Sequence, residues 1–254
     1  MTRRPTPAGP LALSGPAART AVVLVRPGNP ENIGLAARAM KNTGFSDLRL
    51  VHRGPLSAEA RRTAVHAEDV LGSARVAPSL EEALADRDFV LASTARLRRH
   101  ATVIPLGEAV RIIGGLPAGT RIALLFGNER TGLLSEEIER ANGVFTIPQS
   151  GRQPSYNLGA AVLLTLYALF TAGPVPPPDG EPPLPRPEQD AAIALILRQL
   201  EAKRFIHPGN KVHVTALTHD LLGRLAMTAR DRRFLLALFA KGVVSERKES
   251  DDER

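Results

Sequence analysis

The chain has 254 residues, 33 Lys and Arg against 26 Asp and Glu, and no cysteine. Disulfides and thiolate metal sites are therefore excluded, stability must come from packing, and a reducing cytoplasm fits. The net charge of +7 suits a polyanionic partner, although arginine-rich composition alone would give the same excess. No apolar run reaches the roughly 18 residues of a membrane span, the longest candidate being residues 158–172.

Residues 1–19 carry Arg3, Arg4 and Arg19 among Pro5, Pro7, Pro10 and Pro16, which forbids a signal-peptide core and reads as a disordered arm. Residues 20–25, TAVVLV, form a β-branched run that stops at Pro27 and Gly28, as a buried strand does. Ile33, Ala36, Ala37 and Met40 then recur at helical spacing, with Gly44 as the stop before a strand at 48–51. Helices are expected at 57–71, 79–86, 135–142 and 155–171, and strands at 89–92, 122–126 and 144–147. Strands alternating with helices predict an α/β domain over 20–172, a mostly parallel sheet with helices on both faces. Proline dominates 173–187, which reads as a linker. Residues 188–243 predict a small helical appendage too slight to bury much area alone, and 244–254 read as a disordered tail, since SERKESDDER at its end has no apolar residue.

Several stretches carry candidate chemistry. Gly127 and Gly132 bracket GNERTGL directly after an apolar strand, so the backbone there can approach a ligand without a Cβ in the way. Neither a dinucleotide fingerprint nor a phosphate-binding loop is present, which disfavours phosphate-cradled cofactors. Ser155 is placed to cap the helix at 155–171, and Asn157 inside its first turn serves either the helix or a ligand. Asn32 near a helix start is a cap or a ligand contact, while Gly34, which weakens a helix, suggests close approach by another group. Arg38 lies one turn beyond Gly34 on the same face. Ser93 and Thr94 follow a strand end, where ligands bind in open α/β sheets, and Arg96, Arg98, Arg99 and His100 make the densest basic run. No clustered His, Asp and Glu set points to a metal.

NIGLAARAMKNTGF, LLFGNERTGL and FTIPQSGRQPSYNLGAA, in that order, resemble the SpoU branch of the SPOUT RNA methyltransferases, and the first block looks particularly like the TrmJ-type tRNA 2′-O-methyltransferases. The resemblance covers roughly residues 20–170, with a fainter echo over 188–243. It implies a sheet closed by a C-terminal trefoil knot, a rare exception to unknotted topology, and S-adenosylmethionine as cofactor. The implied cofactor contacts are Ser93, Thr94 and Ala95 on one loop and Gly127, Asn128, Glu129 and Gly132 on a second. A third segment would supply Ile147, Pro154, Ser155, Tyr156, Asn157 and Leu158. The family pattern more often has Leu where this chain has Tyr156. Arg38 is the implied catalytic residue, with Asn32, Glu129, Ser155 and Asn157 around it. Because a guanidinium stays protonated, Arg38 is better cast as stabilising charge than as a base.

The implied substrate is tRNA, at an anticodon-loop nucleotide. Ribosomal RNA is the alternative within the class, and a catalytically silent RNA-binding protein is the alternative outside it. A homodimer paired through helix 155–171 is also implied. Arg96, Arg98 and Arg99, with Lys203, Arg204 and Lys211 of the appendage, are the expected grips for RNA phosphates.

Overall fold

The computed structural model describes residues 16–52, 54, 57–95, 102–150, 155–172 and 180–241. In chain order it runs α1 (Pro16–Arg19), β1 (Thr20–Val25), α2 (Pro30–Thr43), β2 (Asp47–Val51), α3 (Ala58–Thr63), α4 (Glu68–Gly72), β3 (Arg75–Ala77), α5 (Leu80–Leu84) and β4 (Phe89–Ser93). It continues through β5 (Val103–Pro105), α6 (Leu106–Gly114), β6 (Ile122–Phe126), α7 (Ser135–Ile138), β7 (Gly143–Thr146) and α8 (Leu158–Thr171). The appendage contributes α9 (Arg186–Ala202), α10 (Lys211–Gly223) and α11 (Ala229–Lys241).

The seven strands form one parallel sheet in the order β3-β2-β1-β6-β4-β7-β5. Successive residues of a strand point to opposite faces, and both faces here are covered. Val22, Leu24, Ile122, Leu124 and Phe126 join one core with α2, α6 and α8, whereas Ala21, Val23, Val25, Ala123 and Leu125 join a second with α5. Two-sided burial is why β1 and β6 read as unbroken apolar runs instead of alternating ones.

Helix α2 starts at an Asn29 cap, whose side chain accepts from the Glu31 amide, with Pro30 at the first helical position. It ends at Gly44 with φ 79°, a left-handed C-terminal residue. Gly34 is where α2 meets α3: a Cβ there would lie 2.3 Å from the Ala60 carbonyl oxygen and 2.8 Å from the Ala64 amide nitrogen. The group that approaches this glycine is therefore the neighbouring helix. Because those atoms are backbone and cannot rotate away, Gly34→Ala should cost about 1–3 kcal/mol. Thermal unfolding followed by circular dichroism should then shift down by several degrees, at about 2–4 °C per kcal/mol for a chain of this size.

Other expectations need correction. The helix expected over 57–71 is broken at residues 64–67, where His66 takes φ 63°, and the helix expected over 135–142 spans only Ser135–Ile138. Residues 16–19 of the expected arm are ordered as α1, because the Arg19 guanidinium donates to the carbonyls of Pro117 at 2.6 Å and Ile113 at 3.1 Å and so closes the C-terminus of α6. Residues 1–15 and the 244–254 tail lie outside the described residues. So does 173–179 of the linker, whose remaining part ends at α9: the Leu184 amide donates to Met227 O and the Arg186 amide to Arg87 O. The helix expected from 213 onward splits into α10 and α11, since Thr228 and Asp231 exchange side-chain and backbone hydrogen bonds and start a new helix.

The appendage docks on the sheet domain through buried polar groups. Asn142 accepts from the Val90 amide and donates to Gln189 Oε1, Gly223 O and Leu225 O; Gln189 donates to Asp88 O. Buried amides satisfied at both ends fix one docking geometry.

Candidate functional site

The loops that leave β4, β6 and β7 at their C-terminal ends meet over three adjacent strands, the position at which open α/β sheets bind ligands. They enclose a cavity of about 260 Å³. Its apolar wall comes from Phe126, Leu133, Ile147, Leu158 and Ala161, and its polar wall includes Ser93, Thr94, Thr146 and Gln149.

Glycines create the space. A Cβ on Gly127 would lie 2.3 Å from both Gly132 C and Leu133 N, so the chain folds back on itself only because that atom is missing. Gly132 takes φ 68°, and its amide donates to Asn128 O at 2.8 Å. The Asn128 Oδ1 accepts from the amides of Arg130 and Thr131, which holds the turn from inside.

A relay of side chains beside the cavity joins the three sequence blocks. Glu129 Oε2 accepts from the Gly28 amide at 2.8 Å, and Oε1 accepts from the Asn29 amide at 3.1 Å and from Asn32 Nδ2 at 2.7 Å. Asn32 Oδ1 accepts from Asn157 Nδ2 at 2.8 Å, and Asn157 Oδ1 accepts from the Gly159 amide at 2.9 Å. Each amide thus uses its acceptor and a donor, and the carboxylate at the end takes three donors. Desolvation raises the pKa of Glu129, but the hydrogen bonds from Asn32 and from the Gly28 and Asn29 amides prevail and hold the carboxyl below the usual range.

The structure places Ser93, Thr94, Ala95, Gly127, Asn128, Glu129, Gly132, Ile147, Ser155, Tyr156 and Leu158 on the cavity wall. Asn157 and Asn32 stand behind it in the relay, and Pro154 lies outside the described residues. Two local readings change. Asn157, outside the helix at ψ 147°, is the cap of α8 in place of Ser155 and at the same time the donor to Asn32. Asn32 is buried and does not cap α2, a task that falls to Asn29. Tyr156 lines the cavity and donates its hydroxyl to Pro148 O at 3.0 Å, tying the two ends of the segment before α8.

Arg38 is exposed on α2, makes no hydrogen bond or ion pair among the described residues, and does not line the cavity. Arg130 is an exposed cation on the cavity wall that sequence reasoning passed over; its position between the two glycines was the available signal. Of the expected RNA grips, Arg96, Arg98 and Arg99 lie outside the described residues. Lys203 Nζ donates to Phe239 O and Ala240 O at the end of α11, Lys211 pairs with Glu201 at 2.8 Å, and Arg204 is exposed with φ 59°. Among the described residues no group of three or more His, Cys, Asp and Glu could hold a metal ion, and no helix is long and apolar enough to cross a membrane.

Comparison with known proteins agrees with this geometry. The model of the SpoU rRNA Methylase family matches residues 19–167, which contain the sheet, the cavity and the relay. The chain is 40% identical over 157 residues to the uncharacterised tRNA/rRNA methyltransferase LasT of Escherichia coli K12, a match covering 60% of this chain and 68% of the relative. It is 41% identical over 157 residues to the tRNA (cytidine/uridine/adenosine-2′-O-)-methyltransferase TrmJ of Pseudomonas aeruginosa, covering 61% of each. The crystal structure of TrmJ from Zymomonas mobilis ZM4 superposes with a TM-score of 0.74 at 33% identity, covering 87% of this chain and 97% of that one. The chain belongs to the SpoU rRNA methylase family.

Proposed function

We propose that this protein transfers a methyl group from S-adenosylmethionine to a ribose 2′-hydroxyl of RNA, with tRNA as the substrate. The observation that carries the reading is the relay Asn157–Asn32–Glu129, which brings all three sequence blocks to the rim of one cavity. The cavity suits the cofactor: an apolar wall for the adenine, hydroxyl groups for the ribose and methionine portions, and a glycine-built turn for close backbone approach. Relatives named as tRNA 2′-O-methyltransferases support tRNA over ribosomal RNA, and the family brings with it the expectation of the trefoil knot.

When bound, the cofactor supplies a methyl group made electrophilic by a sulfonium. The chain's residues then hold the attacking oxygen in line and stabilise its developing charge as the hydroxyl proton leaves. Arg38, a cation with no partner among the described residues, suits that second task or a grip on the neighbouring phosphate.

The active form is a homodimer in the cytoplasm. Leu163, Leu164, Tyr167 and Phe170 leave one side of α8 apolar and exposed, Tyr167 by 56%, and a second copy paired along that side would cover it. The expected basic run at 96–100 and Arg204 would then meet phosphates across the pair.

The experiment is methyl transfer from labelled S-adenosylmethionine to tRNA taken from cells lacking this gene, with the product nucleoside identified by mass spectrometry. A 2′-O-methylated nucleoside restored in tRNA is the expected result. Tight cofactor binding without transfer to any RNA would instead indicate the catalytically silent reading, and binding of NAD without S-adenosylmethionine would refute the reading altogether.

A further inference from the structure

Arg26, the residue after β1, is bound at both ends of the cavity loop. Its carbonyl oxygen accepts from Asn128 Nδ2 at 2.8 Å, at the loop's beginning. Its guanidinium reaches the loop's far end, donating to Gly132 O at 3.4 Å and, through Nε and Nη2, to both carboxylate oxygens of Glu137 at 2.8 Å each. Glu137 is buried, and its Oε2 also accepts from the Leu134 amide at 2.6 Å. The Arg26 backbone takes φ 53°, a left-handed conformation that costs a non-glycine residue energy. Strain of this kind persists where the surroundings over-determine it, and here its amide is fixed on Val51 O at 2.8 Å.

A planar two-point guanidinium-carboxylate pair sets orientation as well as distance. The residues it spans, 127–134, include the turn that forms the glycine wall of the cavity. Two and three residues further along the chain from Arg26, the Gly28 and Asn29 amides hold Glu129 in the middle of the same loop. One short segment after β1 therefore grips the loop at its start, middle and end.

We propose that Arg26 and Glu137 form a clamp that sets the shape of loop 127–134, which makes Arg26 a positioning residue for the cofactor. This rests on the proposed use of the cavity for S-adenosylmethionine. Arg26 does not line the cavity, so it acts through the loop and leaves the reacting groups alone.

The test compares Arg26→Ala, Arg26→Lys and Glu137→Gln in the full-length protein. Calorimetry should show S-adenosylmethionine binding weakened at least tenfold in Arg26→Ala and by a smaller factor in Arg26→Lys, which keeps charge but loses the two-point geometry. The increase should appear in KM for the cofactor, with kcat at saturation within about threefold of wild type. Hydrogen exchange at the Gly132 and Leu134 amides, measured without cofactor, should quicken at least tenfold in Arg26→Ala and Glu137→Gln. Unchanged exchange, cofactor affinity within twofold of wild type, or kcat falling as far as kcat/KM would each overturn the clamp. If the unmodified protein fails to bind S-adenosylmethionine, the proposed function is lost, while the exchange measurement still decides the clamp.

Discussion

Replacing Glu129 with alanine should lower methyl transfer by about 10²-fold or more, the scale of loss expected when reacting groups shift by about 1 Å. The carboxylate is the only acceptor of the Gly28 amide among the described residues, and it also holds the Asn29 amide and the Asn32 side chain. Without it, Asn32 loses the bond that orients its amide toward Asn157, and the relay opens at its acidic end. Global stability should change much less, because Glu129 is partly exposed and exposed charges contribute little. Initial rates with labelled cofactor, set beside the unfolding temperature, check both halves of this expectation. Activity within tenfold of wild type would show that the relay is dispensable. Glu129→Gln should fall between, since a carboxamide offers one oxygen and turns its NH₂ toward one of the donors.

The same group gives the site an acid limit. A folded-state pKa below the unfolded value, near 4.3 for glutamate, means that the hydrogen bonds to Glu129 contribute in full above that value and are lost as pH falls through the lower folded one. Cofactor affinity should therefore be level through neutral and mildly acidic pH and decline only once the pH falls below the ordinary glutamate range. In Glu129→Gln this decline should be absent.

The sheet domain was legible because its strands are buried on both faces. Thr20–Val25 and Ile122–Phe126 had to be continuous apolar runs, and the glycine and proline stops fell between them. Short or uncapped elements were not legible. Val103–Pro105 offers three residues, α6 starts at Leu106 after Pro105, which gives no side-chain cap, and the break at 64–67 contains neither glycine nor proline.

The cavity was legible in many of the residues that line it but not in the bonds behind it. Gly127, Gly132 and Glu129 stand in one short stretch, and their grouping could be read locally. The partners of Asn32, however, are 97 and 125 residues away, and the local sequence does not name them. The Asn29-Pro30 pair was the missed cue, since a capping residue followed by proline at the first helical position releases Asn32 from that duty. The appendage shows a similar limit. Its helical spacing was visible, but Asn142 and Gln189, which dock it, look like ordinary polar residues until their buried partners are known. Truncating the chain at the linker would leave those partners open, so the proposed RNA binding by the appendage is better tested by substitution at Arg204 than by deletion.

Arg38→Ala should reduce transfer by about 10²- to 10³-fold, the range seen when a preorganised electrostatic contact to developing charge is removed, and leave S-adenosylmethionine affinity within twofold. The two halves follow from one observation: Arg38 neither lines the cavity nor pairs with any described residue. A surface arginine with no internal partner has no structural bond to lose, so its removal should leave the fold and the cofactor wall intact. Arg38 also stands two turns along α2 from Glu31 and six residues beyond Asn32, on the helix whose first turn is anchored to Glu129 and Asn157. The relay therefore fixes the helix that carries the cation, and a displaced helix would misplace it. Arg38→Lys should recover only part of the lost rate, because an ammonium keeps the charge without the planar fork. Single-turnover transfer and calorimetry on the same preparations separate the two effects. If transfer by Arg38→Ala stays within tenfold of wild type, about 1.4 kcal/mol of barrier, the residue does no more than solvate the surface of α2.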